Sequence, residues 1–233
     1  MGWLDEPIPT GSRRLARRLV LGARPAAPAP ARPEVQAITL AGLGDRAGEL
    51  SPAVGLEDHV RDVAEAVDDA GEPVVLVGHS YSGLVVRDAA LQRPGKVREV
   101  VLVEGWIGPP GKSLLDLAPG WFADGIRQAA HAQGDGWRIP VPDPATVGVS
   151  EPADADWLRQ RMTEHPLKTF TDPAGSSRHS TAPPMRAVLA TPGPVPFADM
   201  AASLGIPAQQ IDGGHDLMVT SPHTLADVLI AGP

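Results

Sequence analysis

Hydrophobic and polar residues alternate along this chain with a period that switches between that of strands and that of helices. An unbroken apolar run of strand length occurs at residues 74–77, and a second predicted strand covers residues 97–103. Between Gly55 and Gly71, by contrast, apolar residues recur every three or four positions and acidic residues fill the opposite face. Short apolar strands alternating with amphipathic helices predict a mostly parallel sheet with helices on both faces.

Three further stretches are expected to be strands, at residues 35–41, 186–190 and 208–211. Ser221-Pro222 is a suitable N-cap and first-turn pair for a closing helix. Between residues 105 and 185 prolines, glycines and short helical pieces replace the alternation. We therefore expect an α/β core formed by residues 35–104 and 186–233, with residues 105–185 inserted as a lid.

Residues 1–34 do not fit this pattern. Apolar residues at positions 15, 16, 19 and 20 share one helical face, which predicts an amphipathic helix that starts near Ser12. The prolines of residues 25–33 predict a linker, because each proline lacks an amide donor and fixes φ. Residues 19–22 have a second interpretation, as the remnant of a strand.

Composition narrows the class of protein. With 233 residues, 42% of them apolar, the chain can form one substantial core. The net charge of −8 argues against a nucleic-acid partner, because phosphate binding needs clustered Lys and Arg. The chain has no cysteine, and no apolar run approaches the roughly 20 residues that span a bilayer. We expect a soluble, cytoplasmic monomer or homodimer without a membrane partner.

The most specific local motif is Gly78-His79-Ser80-Tyr81-Ser82, between the strand at 74–77 and a helix that continues to about residue 93. A serine on so sharp a strand-to-helix turn projects its hydroxyl from the sheet edge, so Ser80 is the predicted nucleophile. Ser82 replaces the second glycine of the G-x-S-x-G pattern. We expect Gly83 to take over part of that glycine's role.

One histidine is placed to act as a base. His215 alone among the seven histidines combines a position after the predicted last strand with neighbouring glycines. We expect His79 to pack beside the turn that carries Ser80. The other histidines are assigned to the surface or the lid: His59, His131, His165, His179 and His223.

The acid that would orient His215 has two candidates. Glu104 ends the predicted strand 97–103, and Asp199 lies on a predicted helix nearer the C-terminus. We favour Glu104, because that strand end also faces the histidine in this topology. Asp212 and Asp216 are too near His215 in sequence to be favoured.

Several separate motifs, in a fixed order, carry a family resemblance: Gly42-Leu43-Gly44-Asp45-Arg46, Gly78-His79-Ser80-Tyr81, Gly111-Lys112-Ser113-Leu114-Leu115-Asp116, His165-Pro166-Leu167-Lys168-Thr169-Phe170 and Gly214-His215-Asp216. From about residue 35 onward, the chain resembles bacterial α/β-hydrolases of the salicylate-esterase type, which are similar to plant methyl esterases and hydroxynitrile lyases. The resemblance implies an α/β-hydrolase fold with reduced or missing N-terminal strands, Ser80 as nucleophile and His215 as base. Similar bacterial sequences often carry an aspartate at the position of Glu104.

The chain departs from that family at its start. Family members begin with a strand that ends in a His-Gly pair, whose loop supplies one of two oxyanion donors, and no such pair precedes residue 35. The amide of Tyr81 is expected to be the other donor. Loss of one donor typically lowers the rate by about 10²- to 10³-fold. We therefore expect an enzyme that is slow or altered.

The resemblance favours a serine hydrolase that cleaves a small carboxylic ester through an acyl-enzyme. We expect no metal and no cofactor, because Asp and His residues are scattered and no glycine-rich phosphate loop follows the first predicted strand. The alternatives are a degenerate hydrolase that binds or tailors a small molecule, and a hydroxynitrile-lyase-type lyase. The lyase is disfavoured because Asp216 and Leu217, not lysine, follow His215. Residues predicted to contact the substrate are His79, Trp106, Leu114, Trp121 and Trp137.

Overall fold

The computed structural model describes residues 18–22, 34–175, 182–191 and 193–232. The strands in these ranges are β1 (Arg18–Gly22), β2 (Val35–Gln36), β3 (Val74–His79), β4 (Val97–Val103), β5 (Arg138–Ile139), β6 (His165–Pro166), β7 (Met185–Thr191) and β8 (Ala208–Asp212). The α-helices are α1 (Leu56–Asp69), α2 (Ser82–Gln92), α3 (Leu114–Leu117), α4 (Gly120–Gln133), α5 (Pro152–Arg159), α6 (Lys168–Thr171), α7 (Phe197–Ser203), α8 (Leu217–Thr220) and α9 (Pro222–Ala231). Gly44–Glu49 and Pro144–Val147 form 3₁₀ helices.

The main sheet has the strand order β2-β1-β3-β4-β7-β8. Strands β3, β4, β7 and β8 are parallel, whereas β1 runs antiparallel to both of its neighbours. The carboxyl ends of the parallel strands therefore meet at one edge. Ser80 follows β3, Glu104 follows β4 and the loop that carries His215 follows β8 at this edge.

Both faces of the central strands β3 and β4 are largely buried, as the apolar run at residues 74–77 predicts for β3. Leu76, Val100 and Leu102 belong to the larger core cluster, together with apolar residues of α1 and α2. Val77, Val101 and Val188 face the other way and pack with residues of α8 and α9. The prediction of an α/β fold is confirmed. None of the helices in the described ranges has the length and apolar character needed to cross a bilayer.

Two predictions for the N-terminal part need correction. Residues 18–22 form a strand rather than part of a helix, because their backbone pairs with β2 on one side and with β3 on the other. The rest of the expected helix, and the linker at 25–33, lie outside the described residues. The strand expected at 35–41 is confined to Val35–Gln36. Beyond it the chain leaves the ladder, and the amide of Ala41 instead donates to the Asp62 carboxylate.

The chain that follows Glu104 and ends before β7, residues 105–184, is called here the inserted segment. It contains α3 to α6 and a separate two-stranded sheet of β5 and β6. A buried ion pair on α2 fastens it to the core: Arg87 donates to Asp88 and to the carbonyl of Gly108, and Asp88 accepts from the amide of Gly175. Breaking such a buried pair is strongly destabilising, since it leaves an uncompensated charge.

Candidate active site

Ser80 is held in a strained backbone conformation at the end of β3. Its φ angle of 51° lies in the left-handed region, which residues other than glycine rarely adopt. The end of β4 fixes this turn from both sides, since Ser80 donates its amide to Val103 (3.1 Å) and accepts from the amide of Trp106 (3.0 Å). The serine is therefore positioned by backbone bonds that do not use its hydroxyl.

Two glycines make the sharp turn possible. A Cβ atom on Gly78 would lie 2.7 Å from the carbonyl oxygen of Ser82, and one on Gly83 would lie 2.5 Å from that of Trp106. Ser82 itself fits because its hydroxyl donates back to the carbonyl of His79 at 2.6 Å. Gly83 thus provides the close approach of α2 to the chain after β4.

His215 is joined to Glu104 across the sheet edge. Its Nδ1 atom lies 3.2 Å from Oε2 of Glu104. The other oxygen of this carboxylate, Oε1, accepts a 2.8 Å hydrogen bond from the amide of Ala190 on β7. Glu104 is only 2% exposed, so these bonds offset part of the free-energy cost of burying its charge.

The contact with Glu104 assigns the tautomer of His215. A carboxylate accepts hydrogen bonds, so Nδ1 carries the proton and Nε2 is left to accept one. Asp199, the other predicted acid, is an exposed residue of α7. Of the two candidates, Glu104 is therefore the one that lies beside the imidazole.

His79 and Phe197 support the loop that carries His215. The Nε2 atom of His79 donates to the backbone carbonyl of His215 at 3.0 Å, and it lies 3.5 Å from Oδ1 of Asp216. The ring of Phe197 stacks on the imidazole of His215, with centroids 5.8 Å apart and an angle of 11° between the planes. The imidazole is thus restrained through its backbone and its ring face as well as through Nδ1.

The fold also assembles a group that could hold a metal ion, although the scattered Asp and His residues of the sequence predicted none. His79, His215 and Asp216 bring one possible ligand atom each within 4.8 Å of one another. The hydrogen bond from His79 to the His215 carbonyl accounts for this approach. The same bond engages Nε2 of His79, the nitrogen that lies 3.5 Å from Oδ1 of Asp216.

A buried network lies beneath the turn that carries Ser80. The hydroxyl of Tyr81 lies 2.9 Å from Nδ1 of His59, whose Nε2 donates to the carbonyl of Ala41 at 2.8 Å. Phe170 stacks on the Tyr81 ring, and His165 contacts its edge. The surface-or-lid assignment of His59 was wrong: the residue is fully buried. Its place on the apolar face of α1, with Leu56 and Val63, could have revealed this.

A cavity of about 960 Å³ opens onto the carboxyl edge of the sheet, and its walls are largely apolar. Ser80, Tyr81, Glu104 and His215 line it, and so do three predicted substrate-contacting residues: His79, Trp106 and Trp121. Trp121 is 60% exposed, which places it at the rim.

Two other predicted substrate-contacting residues, Leu114 and Trp137, do not line this cavity. Leu114 is completely buried in the larger core cluster. Trp137 follows α4 and lies against the Arg138 guanidinium instead. Trp157 and Phe197, which were not predicted to contact a substrate, do line the cavity. No local sequence signal distinguishes these aromatic residues, because the packing of the inserted segment decides which of them face the cavity.

Comparisons with known proteins agree with this geometry. The model of the alpha/beta hydrolase family matches residues 3–228. The chain is 32% identical over 212 residues to the carbendazim hydrolyzing esterase of Nocardioides sp. strain SG-4G, a match that covers 83% of this chain and 85% of that protein.

Two solved structures have the same fold. An extracellular alpha/beta-hydrolase from a Paenibacillus species, described as a structural and functional homologue of tobacco salicylic acid binding protein 2, is 20% identical, with a TM-score of 0.71 over 82% of this chain and 84% of that one. Polyneuridine aldehyde esterase is 15% identical, with a TM-score of 0.60 over 82% of this chain and 85% of that one.

A parallel sheet with a serine on a strained strand-to-helix turn, and a histidine after the last strand, defines the class of α/β hydrolases. The chain belongs to the alpha/beta hydrolase family, on its esterase branch.

We predict that Gly83→Ala disturbs the turn that carries Ser80. The added Cβ would meet backbone atoms of Trp106, at 2.5 Å from its oxygen and 2.9 Å from its nitrogen, and backbone cannot move aside cheaply. Overpacking of this kind typically costs about 1–3 kcal/mol of the free energy of unfolding, measured by urea denaturation. Gly48→Ala is the matched control, since nothing lies within 4 Å of its added Cβ. Equal stability of the two variants would contradict this account of Gly83.

Proposed function

We propose that this protein is a serine hydrolase that cleaves a small carboxylic ester through an acyl-enzyme on Ser80. The observation that carries the proposal is the contact between Glu104 and Nδ1 of His215, at the same sheet edge as the strained Ser80. With Nδ1 protonated, Nε2 of His215 is the nitrogen that can take a proton from a serine hydroxyl.

In the proposed reaction, Oγ of Ser80 attacks the ester carbonyl carbon while its proton passes to Nε2 of His215. Glu104 stabilises the imidazolium that forms. The carbonyl electrons move to the oxygen, and the amide of Tyr81 donates to this oxyanion. Collapse of the intermediate breaks the ester C–O bond, and His215 returns the proton to the departing alkoxide. Water then repeats the sequence on the acyl-enzyme and releases the acid.

The cavity supports an apolar substrate. Its volume of about 960 Å³ is at the upper end of ordinary small-molecule sites, and aromatic side chains such as Trp106, Phe122 and Trp157 contribute to its walls. The Nocardioides relative is named as an esterase that hydrolyses carbendazim, which agrees with a small-molecule substrate. We propose an ester with an apolar or aryl acyl group.

A second candidate function is ligand binding without turnover. The observation that favours it is the lack of any His-Gly pair in the sequence, the motif from which family members take their second oxyanion donor. The same cavity would then bind a small molecule, and Ser80 would not be activated. A covalent probe separates the two candidates.

We predict that a fluorophosphonate forms a single covalent adduct with the native protein, measured as intact mass. The adduct should be absent in Ser80→Ala and strongly reduced in His215→Ala, since both the nucleophile and the base are needed. Ser82→Ala is the control within the same motif. It removes one buried hydrogen bond worth about 1 kcal/mol and should leave the adduct intact. An unlabelled wild type, folded and tested with a small fluorophosphonate, would favour the binding protein instead.

We predict that Glu104→Gln lowers kcat by roughly 10⁴-fold, because an amide in place of the carboxylate no longer fixes the tautomer of His215. Asp199→Asn should keep wild-type kcat, since Asp199 is exposed on α7. The measurement is hydrolysis of a p-nitrophenyl ester by both variants, with the thermal midpoint as the check on folding. The reverse order of effects would assign the acid to Asp199.

A further inference from the structure

The inserted segment touches the His215 loop backbone to backbone. Gly148 ends the 3₁₀ helix Pro144–Val147 with a φ angle of 82°, and a Cβ on it would lie 2.6 Å from Cα of Gly214 and 3.0 Å from the nitrogen of His215. In return, a Cβ on Gly214 would lie 2.5 Å from the carbonyl oxygen of Gly148. Real Cβ atoms essentially never come this close, so only two glycines allow the approach.

A hydrogen bond and an apolar cluster fasten the same contact. The amide of Asp216, the residue after His215, donates to the carbonyl of Val147 at 3.1 Å. A small cluster centred on Val149, Ala155 and Leu158 of the inserted segment also includes Val219 of α8, just beyond the histidine. The loop that carries His215 is therefore docked on the inserted segment from both sides of the histidine.

This docking adds a restraint that Glu104 does not supply. Glu104 bonds Nδ1 of the imidazole, His79 bonds the carbonyl of His215 and Phe197 stacks on the ring, but none of these three contacts involves the backbone nitrogen of His215. The turn at Gly148 reaches the backbone of His215 directly. Misplacement of a reacting group by about 1 Å can lower a rate by roughly 10²-fold.

We propose that the turn at Gly148 positions the base of the reaction: the inserted segment sets where Nε2 of His215 stands relative to Ser80. This inference rests on the proposed serine-hydrolase function. In this arrangement the inserted segment has two roles, as a wall of the cavity and as a support for the imidazole. Gly148 and Gly214 are positioning residues, since they act only through His215.

The test compares Gly148→Ala with Gly111→Ala. Gly111 has nearly the same φ, 83°, lies in the same segment, does not line the cavity, and has nothing within 4 Å of an added Cβ. The two variants therefore carry similar backbone strain, and only Gly148→Ala presses on the His215 loop. Gly148 also lines the cavity, so an effect on substrate binding would be seen in KM rather than in kcat. We expect Gly148→Ala to lose roughly 10²-fold in kcat with KM nearly unchanged, and Gly111→Ala to retain wild-type kcat.

Gly214→Ala provides a second route to the same contact. Its φ lies outside the left-handed region, so the added Cβ brings the clash with Gly148 without backbone strain. We expect a loss of kcat like that of Gly148→Ala, with Gly48→Ala as the unstrained control. This variant carries the test if Gly148→Ala does not fold, as judged by its thermal midpoint.

The outcomes separate this inference from the function on which it rests. A wild type that neither turns over an ester nor reacts with a fluorophosphonate overturns the proposed function. If the wild type is reactive, either of two results overturns the positioning role. The first is equal kcat for Gly148→Ala and Gly111→Ala, and the second is wild-type kcat for Gly214→Ala. Loss of kcat at both Gly148 and Gly214, with both controls active, supports the role.

Discussion

The hydrogen bonds of the buried Glu104 carboxylate hold together the carboxyl edge of the sheet, where Ser80 and His215 also lie. Glu104 follows β4. One of its carboxylate oxygens accepts a hydrogen bond from the amide of Ala190 on β7, and the other accepts one from the imidazole of His215 after β8. An almost fully buried carboxylate is stable only if both oxygens find donors, so these three strand ends must stay in register. Glu104 itself adopts a φ angle of 46°, a conformation held by its own amide bond to Val188.

The strained turn at Ser80 depends on the same edge. The backbone of Ser80 bonds to the last residue of β4 and to Trp106, two residues beyond Glu104. Ser80 and Glu104 are therefore fixed by neighbouring stretches of the same part of the chain, whereas His215 lies on a loop distant in sequence. Its placement needs further supports, which the structure supplies through His79, Phe197 and the turn at Gly148. The inserted segment thus contacts the loop that carries His215 and also lines the cavity.

Much of the fold and of the candidate site could be predicted from sequence, because the residues that define them lie in local motifs. Strand β3 contains the apolar run at residues 74–77, Ser80 lies in a five-residue motif, and Glu104 directly follows the predicted strand 97–103. The length of β2 could not be predicted. Residues such as Ile38 and Leu40 are buried by packing against helices, and alternation alone does not separate such burial from pairing in a sheet.

Contacts between distant loops have no local signal at all. Gly148 and Gly214 resemble other glycines of the chain in sequence, and only the folded structure brings their backbones together. The residues that line the cavity also have no local signal. Trp121, in the first turn of α4, reaches the rim of the cavity, whereas Trp137, just after the same helix, does not. The family of the chain was therefore predictable from motifs, and the shape of its binding site was not.

The most direct test of the central claim is a crystal structure of the protein after reaction with a small fluorophosphonate. We predict density continuous from Oγ of Ser80 to phosphorus, with the phosphoryl oxygen at the amide of Tyr81 and His215 still bonded to Glu104. That structure would also identify any second donor to the phosphoryl oxygen. Density on another residue, or an imidazole turned away from both Glu104 and the adduct, would contradict the account.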